Sequence, residues 1–107
     1  IRKEYIMFYN VLKLKDLVSL KEENLDREIL MQNGDSSLTI IGIKKNEIID
    51  THTSISDAAV YVLDGEIEIH FDAEKFKIDK GEILMFKKDK EHKVLAIKDS
   101  KFLLIRI

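Results

Sequence analysis

Three histidines, His52, His70 and His92, have the widest chemical reach in this sequence, because imidazole is the commonest metal ligand and titrates near neutral pH. There are no cysteines, so disulfides, thiol nucleophiles and thiolate metal sites are excluded. His52 and Ser54 stand two apart and share one face of an extended segment, and Asp50 has the same parity, which makes it the nearest candidate third ligand. His92 shares its parity with Val94 and Ala96, small apolar residues that suit a pocket wall better than a wet surface. His70 alternates with Glu66 and Glu68 against Ile67, Ile69 and Phe71, and reads as a solvent-facing cross-strand residue. Imidazoles joined by an oxygen donor suit Zn, Fe, Mn or Ni, with geometry rather than residue type selecting the metal. Without a metal they orient a small anionic or polar ligand, or act as acid and base.

The elements that must position these groups are short strands. From Arg27 onward, β-rich runs recur every ~8–12 residues with a turn signal between them, the pattern of an antiparallel sandwich or barrel. Residues 28–32 and 37–43 flank Asn33-Gly34-Asp35, and residues 58–63 and 66–71 flank Asp64-Gly65; both pairs are predicted to be hairpins. Further strands fall near Phe76 and Ile78, over Ile83 to Phe86, His92 to Ile97 and Lys101 to Ile107. Val60, Val62, Ile67, Ile69, Phe76, Ile78 and one of Leu84 or Met85 are expected to supply much of the core. If Val60 and Val62 point inward, Tyr61 and Leu63 point outward and need cover from another sheet, the N-terminal segment or a second subunit. The same holds for the C-terminal strand, apolar on both faces from Phe102 to Ile105. Leu12, Leu17 and Leu20 suggest a short amphipathic turn or helix around Lys15 to Asn24, and Tyr5, Phe8 and Tyr9 suggest an N-terminal strand packed on the barrel or a partner.

Composition sets the class. A chain of 107 residues has room for one domain, read here as an N-terminal arm over 1–26 and an all-β barrel over 27–107. Hydrophobic residues make up 45%, enough for a packed core, while 18 basic against 20 acidic residues, interspersed, argue against nucleic acid as a partner. Lys87, Lys88, Lys90 and Lys93 are interrupted by Asp89 and Glu91 and read as a solvated loop. No apolar run approaches the ~20 residues of a membrane span, and the opening Ile1-Arg2-Lys3-Glu4 lacks the layout of a signal peptide, so a cytoplasmic protein without membrane partners is expected.

Two segments carry a family pattern. Asn46 to Gly65 and Gly81 to Ala96 resemble the paired motifs of the cupin superfamily, with the resemblance extending over residues 27–107. In the first motif Asn46 stands where a Gly belongs, His52 on the first His, Ser54 on the second His, Ala58 on the Glu, and Gly65 on the closing Gly. In the second, Gly81 and His92 match, while Lys87, Asp89 and Ala96 replace Pro, Gly and Asn. His52-Thr53 and Asp57-Ala58 look like a subset of small cupins with a His-Thr in place of His-x-His. The resemblance implies a double-stranded β-helix, a jelly-roll-like barrel of about nine to eleven short strands, and homodimerisation through a sheet face or an exchanged N-terminal strand. It also implies that His52 and His92 converge in the barrel mouth beside Ser54, as the remnant of a cage of three His and one Glu. The expected function is binding of a small molecule, or of a weakly held divalent metal, in the barrel. The alternative is a metal-dependent enzyme of dioxygenase or isomerase type using His52 and His92.

Overall fold

The structure, a computed structural model, describes residues 8–20 and 25–107, with the backbone alone at 51 and 52. Tyr5 and the end of the expected N-terminal helix lie outside the described residues. Among the described residues, nine strands follow a single 3-10 turn at Leu14–Leu17: β1 (Asp26–Asn33), β2 (Ser36–Ile43), β3 (Ile48–His52), β4 (Ala58–Asp64), β5 (Glu66–His70), β6 (Lys75–Asp79), β7 (Ile83–Phe86), β8 (His92–Ala96) and β9 (Ser100–Arg106). They form a five-stranded sheet ordered β1-β2-β9-β4-β7 and a four-stranded sheet ordered β3-β8-β5-β6. Every pairing is antiparallel. This is the all-β jelly-roll layout expected from the short, alternating runs.

Alternation builds the core. In β4 every second residue is buried, Ala58, Val60 and Val62, and the register sets Val60 beside Leu84 of β7 and Leu104 of β9, and Val62 beside Phe102 of β9. Ile67 and Ile69 of β5 and Val94 and Ala96 of β8 close the space from the other sheet. The parity of β7 is thereby settled: Leu84 packs against the core while Met85 is 72% exposed. Phe76 departs from expectation, for it is 37% exposed while Ile78 is buried. Phe76 instead stacks edge-on against Phe71, with ring centroids 5.8 Å apart.

The first expected hairpin is present, β1 to β2, with its two-residue loop at Gly34 and Asp35 and a φ of 60° at Gly34. The second is not a hairpin. β4 pairs with β7 and β9, whereas β5 pairs with β6 and β8, so Asp64-Gly65 is a corner where the chain crosses between sheets. Gly65 has a φ of 87°, and a Cβ there would overlap the Asp99 carbonyl and Ser100 Oγ. Fully buried Ser100 pins the corner: its hydroxyl accepts the Glu66 N–H at 2.9 Å and donates to the Lys98 carbonyl at 2.7 Å.

The outward face of the five-stranded sheet is covered in part by the N-terminal segment. Leu14, Leu17 and Val18 pack with Leu30, Ile40, Leu63 and Leu103, and Val18 and Leu20 lie against Gly42, whose missing side chain lets the segment approach. Cover for Leu63 therefore comes from this chain. Beyond the segment, Met31, Leu38, Ile105, Ala59 and Met85 form a continuous register row across all five strands.

Candidate functional site

His92 opens β8 and is buried at 5% exposure, with Val94 and Ala96 buried behind it on the same face, as its alternation predicts. Its Nδ1 lies 2.8 Å from the Lys90 carbonyl. A carbonyl only accepts, so Nδ1 carries a proton and donates it to Lys90, which fixes the orientation of the ring. The imidazole stands edge-on to Phe86, centroids 4.8 Å apart, and tilted to Phe71 at 5.8 Å, so its orientation is held by packing as well as by the hydrogen bond.

The backbone register sets His52 directly opposite His92 across the β3/β8 pair. The side chain of His52 lies outside the described residues. Between Ile49 and His52 the register shifts, so the regular alternation that would carry Asp50 to the site is interrupted, and Asp50 is exposed. His70 stays away from the site. It is half-buried on β5, with Nε2 2.9 Å from Oε1 of Glu68 two residues back on the same strand, so it keeps to the face shared with the glutamates but pairs along its own strand rather than across to a neighbour.

Ser54 is buried just after β3, and its Oγ accepts the Ser56 N–H at 3.2 Å, while its carbonyl accepts the Asp89 N–H at 2.9 Å. That second bond ties the loop before His92 to the segment after His52. Among the described residues the hydroxyl proton of Ser54 has no acceptor.

These groups face a cavity of about 210 Å³ between the sheets. Ser54 and His92 line it together with Ala58, Phe86, a wall of Ile, Val, Leu and Phe side chains, and two arginines, Arg27 and Arg106. Arg106 sits in one register row with Ala58 of β4, which in turn pairs with Phe86 of β7. Phe86 touches His92, so Arg106, Ser54 and His92 are gathered at one end of the cavity. Sequence reasoning passed over both arginines. The available signal was parity, since Arg106 follows Phe102 and Leu104 at spacings of two along a strand whose alternate residues point inward.

The four glycine landmarks of the two motifs keep their backbone geometry where glycine itself is lost. Gly65 and Gly81 have φ of 87° and 86°, and Asn46 and Asp89 have φ of 72° and 65°. Asn and Asp are the residues that enter this left-handed region most readily after glycine.

A family model for the cupin domain matches residues 39–107, more than half of the chain. The chain belongs to the cupin family. Among solved structures, a conserved protein of unknown function from Streptococcus pyogenes aligns at a TM-score of 0.86 with 26% identity, covering 92% of this chain and 87% of that one. A cupin superfamily protein from Desulfitobacterium hafniense aligns at 0.85 with 22% identity, covering 92% and 91%. A cupin 2 conserved barrel domain protein from Leptotrichia buccalis aligns at 0.80 with 29% identity, covering 87% of this chain and 45% of that one. A comparison with curated proteins finds no match. In this cupin the positions of the second His and the Glu of the family cage are Ser54 and Ala58, both buried, the one a hydroxyl and the other a methyl. Among the described residues no three of His, Asp and Glu come together, and no carboxylate lines the cavity. The donor set does not fit the family's four-ligand metal cage. No helix of the described residues is long and apolar enough to cross a membrane.

Proposed function

We propose that this cupin binds a small organic molecule inside the barrel, with Ser54, His92 and His52 supplying the polar contacts at one end. The observation that carries this reading is the cavity itself: a largely apolar wall with Ser54, His92 and Arg106 converging at one end is the general form of a small-ligand site. The orientation of His92 supports it, since an imidazole held by the Lys90 carbonyl and by Phe86 lines the cavity in one defined pose. The register pairing of His52 with His92 supports placing both imidazoles at this end. A divalent metal is then at most weakly held by the two histidines. Binding rather than metal-dependent turnover is the reading that the Ser54 and Ala58 replacements support. The barrel is proposed to work as a homodimer, and its proposed place is the cytoplasm, a reading that rests on the sequence alone.

Two measurements test the function. Elemental analysis of protein purified without chelator is expected to give well under one metal per chain; near-stoichiometric Zn, Fe, Mn or Ni overturns the reading in favour of a metal-dependent cupin. A fragment screen by NMR is expected to shift cavity resonances, including those near Phe86 and Val94. The double variant His52→Ala, His92→Ala is expected to keep its β circular dichroism, to lose about 1–3 kcal/mol for the vacated buried ring, and to lose fragment binding.

A further inference from the structure

We infer that the ligand is a small carboxylate, its charge held at the Arg106 and Ser54 end of the cavity and its apolar body against the facing aliphatic wall. This rests on the proposed reading of the cavity as a ligand site and names the class of ligand. Arg106 projects from the inward face of β9, between Ser37 of β2 and Ala58 of β4, and lines the cavity. Its Nε is buried and has no hydrogen-bond partner. A guanidinium is always charged, and taking part of it out of water without a partner is costly unless something else supplies the acceptor. Among the described residues no carboxylate forms an ion pair with Arg106, and no acidic side chain lines the cavity.

Two further groups favour an anion. Arg27 brings a second guanidinium to the cavity lining, from an exposed position on β1, so the cavity is positive in a protein whose net charge is -2. Buried Ser54 offers its hydroxyl proton at the same end as Arg106. The remaining wall is apolar, with Val60, Ile69, Phe102 and Leu104 among its residues, which suits a hydrocarbon body rather than a sugar or an inorganic anion. A planar carboxylate matches the guanidinium fork with two parallel hydrogen bonds. The cavity, about 210 Å³ and partly open, suits a small ligand, and a short branched carboxylate such as 4-methylpentanoate has the required charged head and apolar body.

The test is calorimetric titration of the full chain with 4-methylpentanoate, its neutral isostere 4-methylpentanamide, and inorganic phosphate, each with and without EDTA. The carboxylate is expected to bind at least about tenfold tighter than the amide and than phosphate, unchanged by EDTA. In Arg106→Gln that preference is expected to vanish, and in Arg106→Lys to survive in part. If the amide binds as tightly as the carboxylate, the site reading stands and the charge assignment falls. Phosphate binding as tightly, or carboxylate binding abolished by EDTA, also overturns the assignment, the latter by making a metal the anion's partner. If neither organic probe binds, both readings fall. Should Arg106→Gln not fold, the comparison of carboxylate with amide in the unaltered chain decides.

Discussion

Asn46 and Asp89 hold left-handed backbone, in turns, at positions where the cupin motifs carry glycine. The Asn46 N–H bonds the Ala96 carbonyl of β8 at 2.8 Å and the Asp89 N–H bonds the carbonyl of the pocket residue Ser54 at 2.9 Å, so both turns are tied to segments that bear pocket residues. For a residue with a Cβ the left-handed region costs about 1–2 kcal/mol, reduced for Asn and Asp, and nothing for Gly. Asn46→Gly and Asp89→Gly are therefore expected to leave stability unchanged or raise it by up to about 1 kcal/mol. Asn46→Val is expected to cost about 2 kcal/mol, because a β-branched side chain is least tolerant of this geometry. Urea unfolding of the three variants reads all of these, and a neutral Asn46→Val contradicts the geometry. At this scale His92 and Ser54 were legible from spacing and motif. Arg106 was not, because a single arginine in an apolar C-terminal run reads as an exposed residue until its strand neighbours show that its face points inward.

At the scale of elements, the corner between β4 and β5 decides the architecture. A hairpin at Asp64-Gly65 would put β4 and β5 in one sheet, but here the chain turns from the five-stranded sheet into the four-stranded one. Ser100 is what holds it, since its buried hydroxyl satisfies the Glu66 N–H that a hairpin would have paired with backbone. Ser100→Ala is expected to destabilise by about 1–3 kcal/mol by leaving that N–H without a partner. Gly65→Ala is expected to cost about 2 kcal/mol or more, because both the positive φ and the overlap with Asp99 and Ser100 oppose it. Thermal unfolding checks both, and a Gly65→Ala variant as stable as the parent means the corner is not built this way. Strand existence was readable from alternation alone, whereas partner choice was not. The Asp64-Gly65 pair looks the same in sequence whether the next strand folds back in its own sheet or leaves it, and the deciding contact comes from Ser100, 35 residues further along.

At the scale of the molecule, the five-stranded sheet has two apolar faces, and the described residues cover only part of the outer one. The N-terminal segment packs on Ile40, Leu63 and Leu103, yet Met31, Ile83 and Met85 are about half exposed or more, aligned by register with Leu38, Ala59, Tyr61 and Ile105. A second copy laid across this row would bury it in a closed two-fold contact, the commonest form of oligomer. Light scattering is expected to give a dimer at tens of micromolar, roughly where an interface of standard size persists, and Ile83→Lys with Met85→Lys is expected to give a folded monomer. A monomer for the unaltered chain under those conditions removes the proposal.

Local chemistry alone determined the class of this protein: strands short enough to alternate, glycine, asparagine and aspartate at the turns, two histidines at motif spacing, and no thiol. These are properties of neighbouring residues, and period-two alternation expresses them without knowledge of the fold. Only the tertiary structure decided which sheet each strand joins, which of Leu84 and Met85 points inward, that Phe76 leaves the core, and that Asp50 falls out of alternation with His52. It alone brought Arg27, Ser54, His92 and Arg106 to one cavity from β1, the segment after β3, β8 and β9. The physical reason is that facing sheets bury residues distant in sequence against one another, so the sign of the charge inside the barrel depends on register and sheet order, which no local pattern encodes.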